Sequence, residues 1–566
     1  MKIGFIVCVD NEIEKNQMFG ISYMPVWAFT LAAYLREFPD LEIFLYDTRF
    51  NDKSKTPYAD VYLISGINQD LSSLLEYNKL LKNLYPDSRQ IIGGPITLSY
   101  NLINKLEELK VFDHIFIGDG ENSIKNLISS IINKTDLPKT IKNNNKFMLN
   151  QAIPMDLELL SAHKNNYYGG VLEVSRGCPF LCEFCDIRTK PDNNQANNKS
   201  IEVILKELDQ FLSLDIKDIL FACDNFIGDH VWAEELCDKI IQWKQITGYE
   251  PHFYTWLTIN LVYHPRLMEK MKLAGFDMFF IGIESFGKNQ LLETAKLQNV
   301  KTDMSESIRG IQGHGFIVVA GLIFGFDSDP EDAVQVALDG IRESGLISGD
   351  PSLLTALPGT PLHRRIEKSG RLRESKIGLG GKKYVTNILY LRERETMIND
   401  FIHFVHAFNK PSYQLARFTN FINCLKTVSP AQTKSTGYIN IKKLWGMVSG
   451  NPKAIFSIAH RVFGVCNTPS KIYHIAKAFI LTKNTPNAKM THFYFWVFNW
   501  SNSILKYGDL KRADFDIDSV PRSYELKNII PVDYDVDFFE PIPASKIKAQ
   551  RQATIRALKK IISYAE

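Results

Sequence analysis

The chain has 566 residues, 45% hydrophobic and 23% charged, which is the composition of a folded globular protein too long for one core. Its 66 basic and 63 acidic residues leave a net charge of only +3. That balance gives no electrostatic footprint for nucleic acid, and no stretch approaches the roughly 20 apolar residues of a membrane span.

Residues 1 to about 135 alternate short apolar runs with helical periods. Runs at 3–9, 42–46, 61–65, 90–93 and 114–117 read as strands, and 26–37, 71–84 and 122–132 as helices, which predicts a doubly wound parallel sheet. The opening apolar run is far shorter than a signal peptide's core and cleavage site. Sheets of this kind bind ligands beyond the carboxyl ends of their strands. Here those ends carry Ser65-Gly66, Gly93-Gly94-Pro95 and Gly118-Asp119-Gly120-Glu121, where the backbone lets a large flat ligand come close. Glycine at a strand end is also ordinary turn chemistry. A first domain over 1–135 is followed by a linker over 136–165, which takes in most of the polar stretch 133–150.

The next segment holds Ser175-Arg176-Gly177-Cys178-Pro179-Phe180-Leu181-Cys182-Glu183-Phe184-Cys185. This C-x3-C-x2-C loop offers three thiolates to one compact centre, and three ligands on a four-iron cluster leave one iron without a protein donor. The spacing matches neither four-cysteine ferredoxins nor the paired C-x2-C of structural zinc. Cys178, Cys182 and Cys185 are therefore the candidate metal ligands. The other five cysteines, Cys8, Cys223, Cys237, Cys424 and Cys466, are scattered and read as small buried hydrophobes. Eight cysteines in so long a chain make no disulfide framework, and thiolate ligands need a reducing compartment, so a cytoplasmic location is expected.

Strand signals recur at 171–174, 218–222, 253–257, 278–283, 316–324 and 352–356. A helix over 201–212 is capped by Ser200, and another starts at Pro330 after Asp329. Six such units over 166–385 predict a partial (β/α)6 barrel with its active site at the strand C-termini. The polar run 192–198, just past the cysteines, reads as part of a lid. Arg176 has the planar fork to sit beside a carboxylate, with a surface role as the alternative.

The cysteine loop, with the aromatic Phe184 before its third thiol, resembles that of the radical S-adenosylmethionine (SAM) enzymes. The resemblance implies a 4Fe-4S cluster whose open iron chelates SAM and cleaves it to a 5′-deoxyadenosyl radical, and a reducing donor such as flavodoxin or ferredoxin. Four further segments match the family in order. Cys223-Asp224-Asn225-Phe226 makes Asp224 the candidate for the SAM amino group, and Gly282-Ile283-Glu284-Ser285 makes Glu284 and Ser285 candidates near ribose and methionine. Gly321-Leu322-Ile323-Phe324-Gly325 resembles the G-x-I-x-G stretch beside adenine, which assigns Gly321, Ile323 and Gly325. Leu357-Pro358-Gly359-Thr360-Pro361 follows the sixth strand. A Rossmann-like sheet ahead of such a domain resembles a cobalamin-binding domain and assigns Ser65, Gly93, Gly94, Gly118, Gly120 and Glu121 to that cofactor. No D-x-H-x-x-G element is present, the first histidine being His114, so no histidine of that motif serves as lower axial ligand.

Past residue 385 the pattern turns mainly helical, giving a third domain over 386–566 that could cover a substrate. Met397, Phe401, Val405 and Phe408 mark one helix, followed by Pro411-Ser412-Tyr413 and Arg417. This region resembles the C-terminal extension of the cobalamin-dependent subgroup that includes the hopanoid methylases. The aromatic run 492–500 reads as core packing, ahead of a cavity lining or a membrane contact. A basic amphipathic helix over 545–564 docks on the protein or touches anionic lipid at the membrane periphery.

What the resemblance implies is a methyltransferase acting on an unactivated carbon of a small molecule, lipid or natural product. One SAM charges cobalamin to methylcobalamin, and a second yields the radical that removes a hydrogen. The rivals are cyclisation, oxidation or rearrangement by the same cofactors, and a non-catalytic corrinoid or Fe–S sensor.

Overall fold

Five of the six residues of the opening strand are buried, the pattern of a parallel strand covered on both faces. This strand, β1 (Lys2–Val7), pairs in parallel with β2 (Glu42–Asp47) and β3 (Val61–Ser65). β4 (Arg89–Gly93), β5 (His114–Ile117) and β6 (Thr140–Lys142) extend the sheet, in the order β2-β1-β3-β4-β5-β6. The order reverses between β1 and β3, the crevice where doubly wound sheets take ligands. Tyr62, Ile92, Tyr100 and Phe112 are among the side chains buried beneath it.

The computed structural model describes residues 1–10, 22–190, 192–301, 303–373, 384–426 and 464–532. These fall into two units. One comprises described residues of 1–223, 355–388 and 527–532, and the other those of 224–354, 389–426 and 464–526. β6 lies in the stretch read as linker. Its three residues contain one apolar side chain, too few to show a period, and it joins the sheet by pairing with β5.

In the first unit β7 (Gly170–Glu173) leads to the two-residue β8 (Ser175–Arg176), which pairs antiparallel with β9 (Asn197–Asn198). β10 (Asp218–Ala222) pairs in parallel with β7. Between them runs the helix Ile201–Ser213, where Ser200 accepts the Val203 N–H as its cap and Ile204, Leu208 and Phe211 are buried.

The second unit holds β11 (His252–Leu257), β12 (Phe276–Glu284), β13 (Ile317–Phe324) and β14 (Ser348–Leu353), parallel and in the order β14-β13-β12-β11. Parallel strands alternate with helices in both units, so the α/β class holds. β14 lies four residues before the expected 352–356. Its sequence, Ser-Gly-Asp-Pro-Ser-Leu, is polar and contains Pro351, which an edge strand tolerates. The helix after β13 is Ala333–Ser344 with Asp332 at its cap position, not one starting at Pro330.

The C-terminal region is helical as expected, with Arg394–Phe408, Pro411–Leu425, Pro469–Asn484 and Met490–Tyr507. A small sheet of β15 (Tyr384–Tyr390) and β16 (Phe515–Ser519) joins them. The aromatic run is core: Phe493, Phe495, Trp496 and Trp500 are buried, and the Trp496 indole donates to Gln414 at 3.1 Å. The predicted helix 545–564 lies outside the described residues. Among the described residues, no helix is long and apolar enough to cross a membrane.

Candidate active site

Of the cysteine loop, Cys182 is buried and Cys178 and Cys185 are half-buried. Burial first, and then the neighbouring Cys182 charge, pushes the Cys185 thiol well above its ordinary value. Thiolates here therefore need a cationic partner. Among the described residues no three His, Cys, Asp or Glu side chains gather around a single ion. Three thiols within residues 178–185 leave no second Cys pair at the spacing of structural zinc, and such a donor set suits a larger centre.

Two charge clusters fix this loop. Glu183, between the second and third cysteines, is 2% exposed and accepts both Nε (2.6 Å) and Nη2 (2.8 Å) of Arg365. Arg365 lies on the helix Pro361–Lys368, whose start is set by Thr360 accepting the His363 N–H and by Pro361 in the first turn. The Leu362 N–H donates to the Glu183 carbonyl at 3.2 Å, so one helical turn grips both backbone and side chain of the loop. On the other flank Arg176 forks onto Glu173 at 2.7 and 2.8 Å and also meets Glu121 and Asp119. Burial opposes the Arg176 charge, yet Glu173 and Glu121 hold its pKa well above the ordinary value. Lys190 adds a 2.5 Å contact to Asp119; burial works against that carboxylate, but Lys190 and Arg176 outweigh it and keep its pKa low.

The run read as part of a lid packs against the loop. The Cys178 N–H donates to the Asn193 carbonyl at 3.0 Å, and Gly177, at φ +90°, leaves no room for a Cβ, which would lie 2.1 Å from the Gln195 oxygen. Of the scattered cysteines, Cys8 and Cys237 are buried, Cys223 and Cys424 half-buried and Cys466 exposed, so the expectation of uniform burial fails at the last.

At the ends of the N-terminal strands, the candidate positions separate by role. A Cβ on Gly94 (φ +84°) would meet Ser65 Oγ at 2.4 Å, and one on Gly118 (φ +115°) would meet the Asn143 oxygen at 2.1 Å. Both glycines are required by the fold's own contacts. A Cβ on Gly120 would press on Leu31 at 3.1 Å. Gly93 differs: nothing lies closer than 3.9 Å to its Cβ position, so its backbone is open to a flat ligand. Glu121 is engaged by Arg176 on the cysteine loop.

In the second unit Asp224, two residues past the end of β10 at Ala222, is half-buried. Next to it Asn225 is buried, and the Phe226 N–H donates to the Trp256 carbonyl at 2.9 Å. Glu284 ends β12 at a register shift and takes φ +63°, a left-handed conformation that non-glycine residues hold only when their surroundings enforce it. Lys296 does so, with Nζ 2.7 Å from Glu284 Oε1 and both residues buried. Asn299 donates to the Gly282 and Ile283 carbonyls, each at 3.0 Å. Ser285 Oγ accepts the Gly287 N–H at 3.0 Å.

Glu284, Ser285 and Ile323 line a cavity of about 280 Å³ together with Gln290, Ser328 and Asp329. Gly321 sits outside that lining, its Cβ position 3.0 Å from the Phe280 ring, and Gly325 turns at φ +97° against Tyr390. Asp329, expected to start a helix, instead accepts the Gly325 and Phe326 N–H groups at 2.8 and 3.0 Å. Sequence reasoning missed Lys296, Arg365 and Asp329 in these roles. Asp329 stands four residues past Gly325, a signal for a side chain folding back on its own loop.

Three comparisons bear on this arrangement. Residues 172–340 match the model of the Radical SAM superfamily, and 360–466 match a domain of unknown function, DUF4070. The chain is similar to the hopanoid C-2 methylase of Rhodopseudomonas palustris, 27% identical over 364 residues that cover 62% of this chain and 67% of that protein. Its fold is similar to the cobalamin-dependent S-adenosylmethionine radical enzyme OxsB (TM-score 0.55, 16% identity, 99% of this chain and 83% of that one). It is also similar in fold to the radical S-adenosylmethionine methyltransferase TsrM from Kitasatospora setae (TM-score 0.53, 13% identity, 66% and 77%). The three-cysteine turn lies inside the matched segment, so residues 172–340 form a radical SAM domain and the protein is a radical SAM enzyme.

Proposed function

We propose that this enzyme is a cobalamin-dependent methyltransferase that places a methyl group on an unactivated carbon of a small-molecule, lipid or natural-product substrate. The observation that carries the reading is the joining, within one unit, of the three-cysteine turn to a parallel sheet of the 2-1-3-4-5 order with an open Gly93. The names of the relatives support the same class, since the hopanoid methylase and TsrM are both methyltransferases.

When bound, the cluster with SAM supplies a carbon-centred radical and the corrinoid carries the methyl group. Cys178, Cys182 and Cys185 would hold the cluster, and Ser65 and Gly93 would lie against the corrinoid. Asp224 would accept the SAM amino group, with Glu284, Ser285 and Ile323 taking its ribose and base. The chain's own task is position: Glu183–Arg365 and the Arg176 cluster fix the cysteine turn, and a small misplacement of reacting atoms costs much rate. The electron donor is a low-potential protein such as flavodoxin or ferredoxin.

The test is anaerobic incubation of the reconstituted enzyme with reductant, cobalamin, methyl-labelled SAM and a native extract, followed by mass spectrometry. A labelled product one methyl heavier supports the proposal. Deoxyadenosine formed alongside a product of unchanged or hydrogen-depleted mass assigns cyclisation, oxidation or rearrangement instead. Cys182→Ala abolishes both iron and deoxyadenosine if the cluster assignment is right.

A further inference from the structure

Between Asp400 and Asp509 lie 108 residues without a single carboxylate, carrying thirteen lysines and arginines. The chain as a whole is only +3, so its positive excess is concentrated here. A stretch of this size with no acidic residue is a strongly one-signed field, which attracts anionic surfaces.

Within this stretch the helix Pro469–Asn484 has its amphipathic pattern turned outward. Its buried residues are the small Ala478 and Thr482. Ile472, Tyr473, Phe479 and Ile480 are 52%, 55%, 42% and 57% exposed. At 3.6 residues per turn these four share one face with Lys477 and Lys483. The four apolar residues run from Ile472 to Ile480, so at 1.5 Å per residue they offer a stripe about 12 Å long to whatever covers it. Lys477 Nζ stands 4.7 Å from the Tyr473 ring centre and Lys483 Nζ 5.8 Å from that of Phe479. Both ammonium groups lie against aromatic rings of the stripe, on long stems that can carry the charge outward from acyl chains to headgroups.

We propose that the helix Pro469–Asn484 seats the enzyme on an anionic lipid bilayer, lying in the interface with Ile472, Tyr473, Phe479 and Ile480 among the acyl chains and Lys477 and Lys483 at the phosphates. A large apolar face marks an interaction site. The absence of carboxylates from the sequence 401–508 that contains it favours a negatively charged partner, and a short amphipathic helix with lysines beside its apolar residues is of interfacial character. The docking is independent of the reaction catalysed, so its test stands apart from that of the methyl transfer.

The experiment is co-sedimentation of the full-length reconstituted enzyme with vesicles of phosphatidylcholine alone and of phosphatidylcholine with phosphatidylglycerol in equal parts. The enzyme is expected to sediment with the mixed vesicles and to stay in solution with the neutral ones. Each basic residue near such a surface is worth about fivefold in partitioning, so Lys477→Gln with Lys483→Gln should weaken binding by about 25-fold. Ile472→Asp with Ile480→Asp should abolish it with iron content unchanged, because both side chains face solvent. Wild-type partitioning in either double variant, or no sedimentation of the wild type with either vesicle, would overturn the proposal. So would a dimer in solution that Ile480→Asp converts to monomer, which would make the face a contact between copies.

Discussion

Arg365→Met is the sharpest probe of how the cysteine turn is held. The Arg365 and Glu183 side chains are 5% and 3% exposed, and the carboxylate takes two guanidinium hydrogen bonds at 2.6 and 2.8 Å. Methionine keeps much of the side-chain volume but leaves a charge buried between two candidate ligands. Breaking such a pair from one side costs about 3–5 kcal/mol, because the remaining ion has lost its compensation. For a folding unit of 150–250 residues that corresponds to a fall in Tm on the order of 10 °C. The loop can also escape the penalty by opening locally, which separates the cysteines. Reconstituted Arg365→Met should therefore bind far less iron per chain and melt earlier. Adding Glu183→Gln should recover a good part of both, since the orphaned charge is gone. Full iron occupancy and an unchanged melting point in the single variant would refute this account of the pair.

Asp224→Ala should weaken SAM binding by about 1.5–3 kcal/mol, tenfold or more, with iron content maintained, and equilibrium dialysis showing unchanged affinity would remove this residue from the site. Gly282→Ala puts a Cβ 2.3 Å from Glu284 Oε1 and 2.8 Å from Lys296 Nζ, so about 1–3 kcal/mol of overpacking should fall on that ion pair and lower SAM affinity. Gly349→Ala, whose nearest neighbour would be 3.6 Å away, is the control, and equal behaviour of the two would argue against the packing at Glu284. Burial raises the Asp329 carboxyl to about 6, above its unfolded value, so the folded state holds that proton more tightly. The corresponding stability, about 3 kcal/mol, is present at low pH and is lost as pH rises from about 4 through 6. Asp329→Asn should flatten the urea midpoint across that range, and a slope equal to the wild type's would count against the assignment.

The parts of the fold legible in the sequence are those carried by local patterns. Continuous apolar runs such as 61–65 and 278–283 marked buried parallel strands, and three thiols within eight residues marked a candidate metal turn without any knowledge of tertiary contacts. β6 and β14 were missed or displaced because their backbone pairing, not their side chains, makes them strands. Contacts over long separations were invisible for a related reason. Glu183 and Arg365 stand 182 residues apart, and Arg176 and Glu121 stand 55 apart, so only the path of the chain brings them together. Glu121, read from the sequence as a cofactor contact, is also paired with Arg176 on the cysteine turn, a partner that residue type at a strand end could not name.

The last strand of the second sheet has a further consequence. Pro351 removes one amide from β14, Asp350 is held by Lys506 at 2.6 Å and by the Tyr507 hydroxyl at 2.7 Å, and Ser348 bonds Asn499 at 2.9 Å. All three partners belong to the helix Met490–Tyr507. That helix therefore acts as a stopper on an open hydrogen-bonding margin, and the sheet cannot be lengthened by a strand from a neighbouring molecule. Loss of the helix would turn the same margin into a template for intermolecular β-pairing, so truncation before residue 490 should yield aggregates rather than a smaller soluble enzyme.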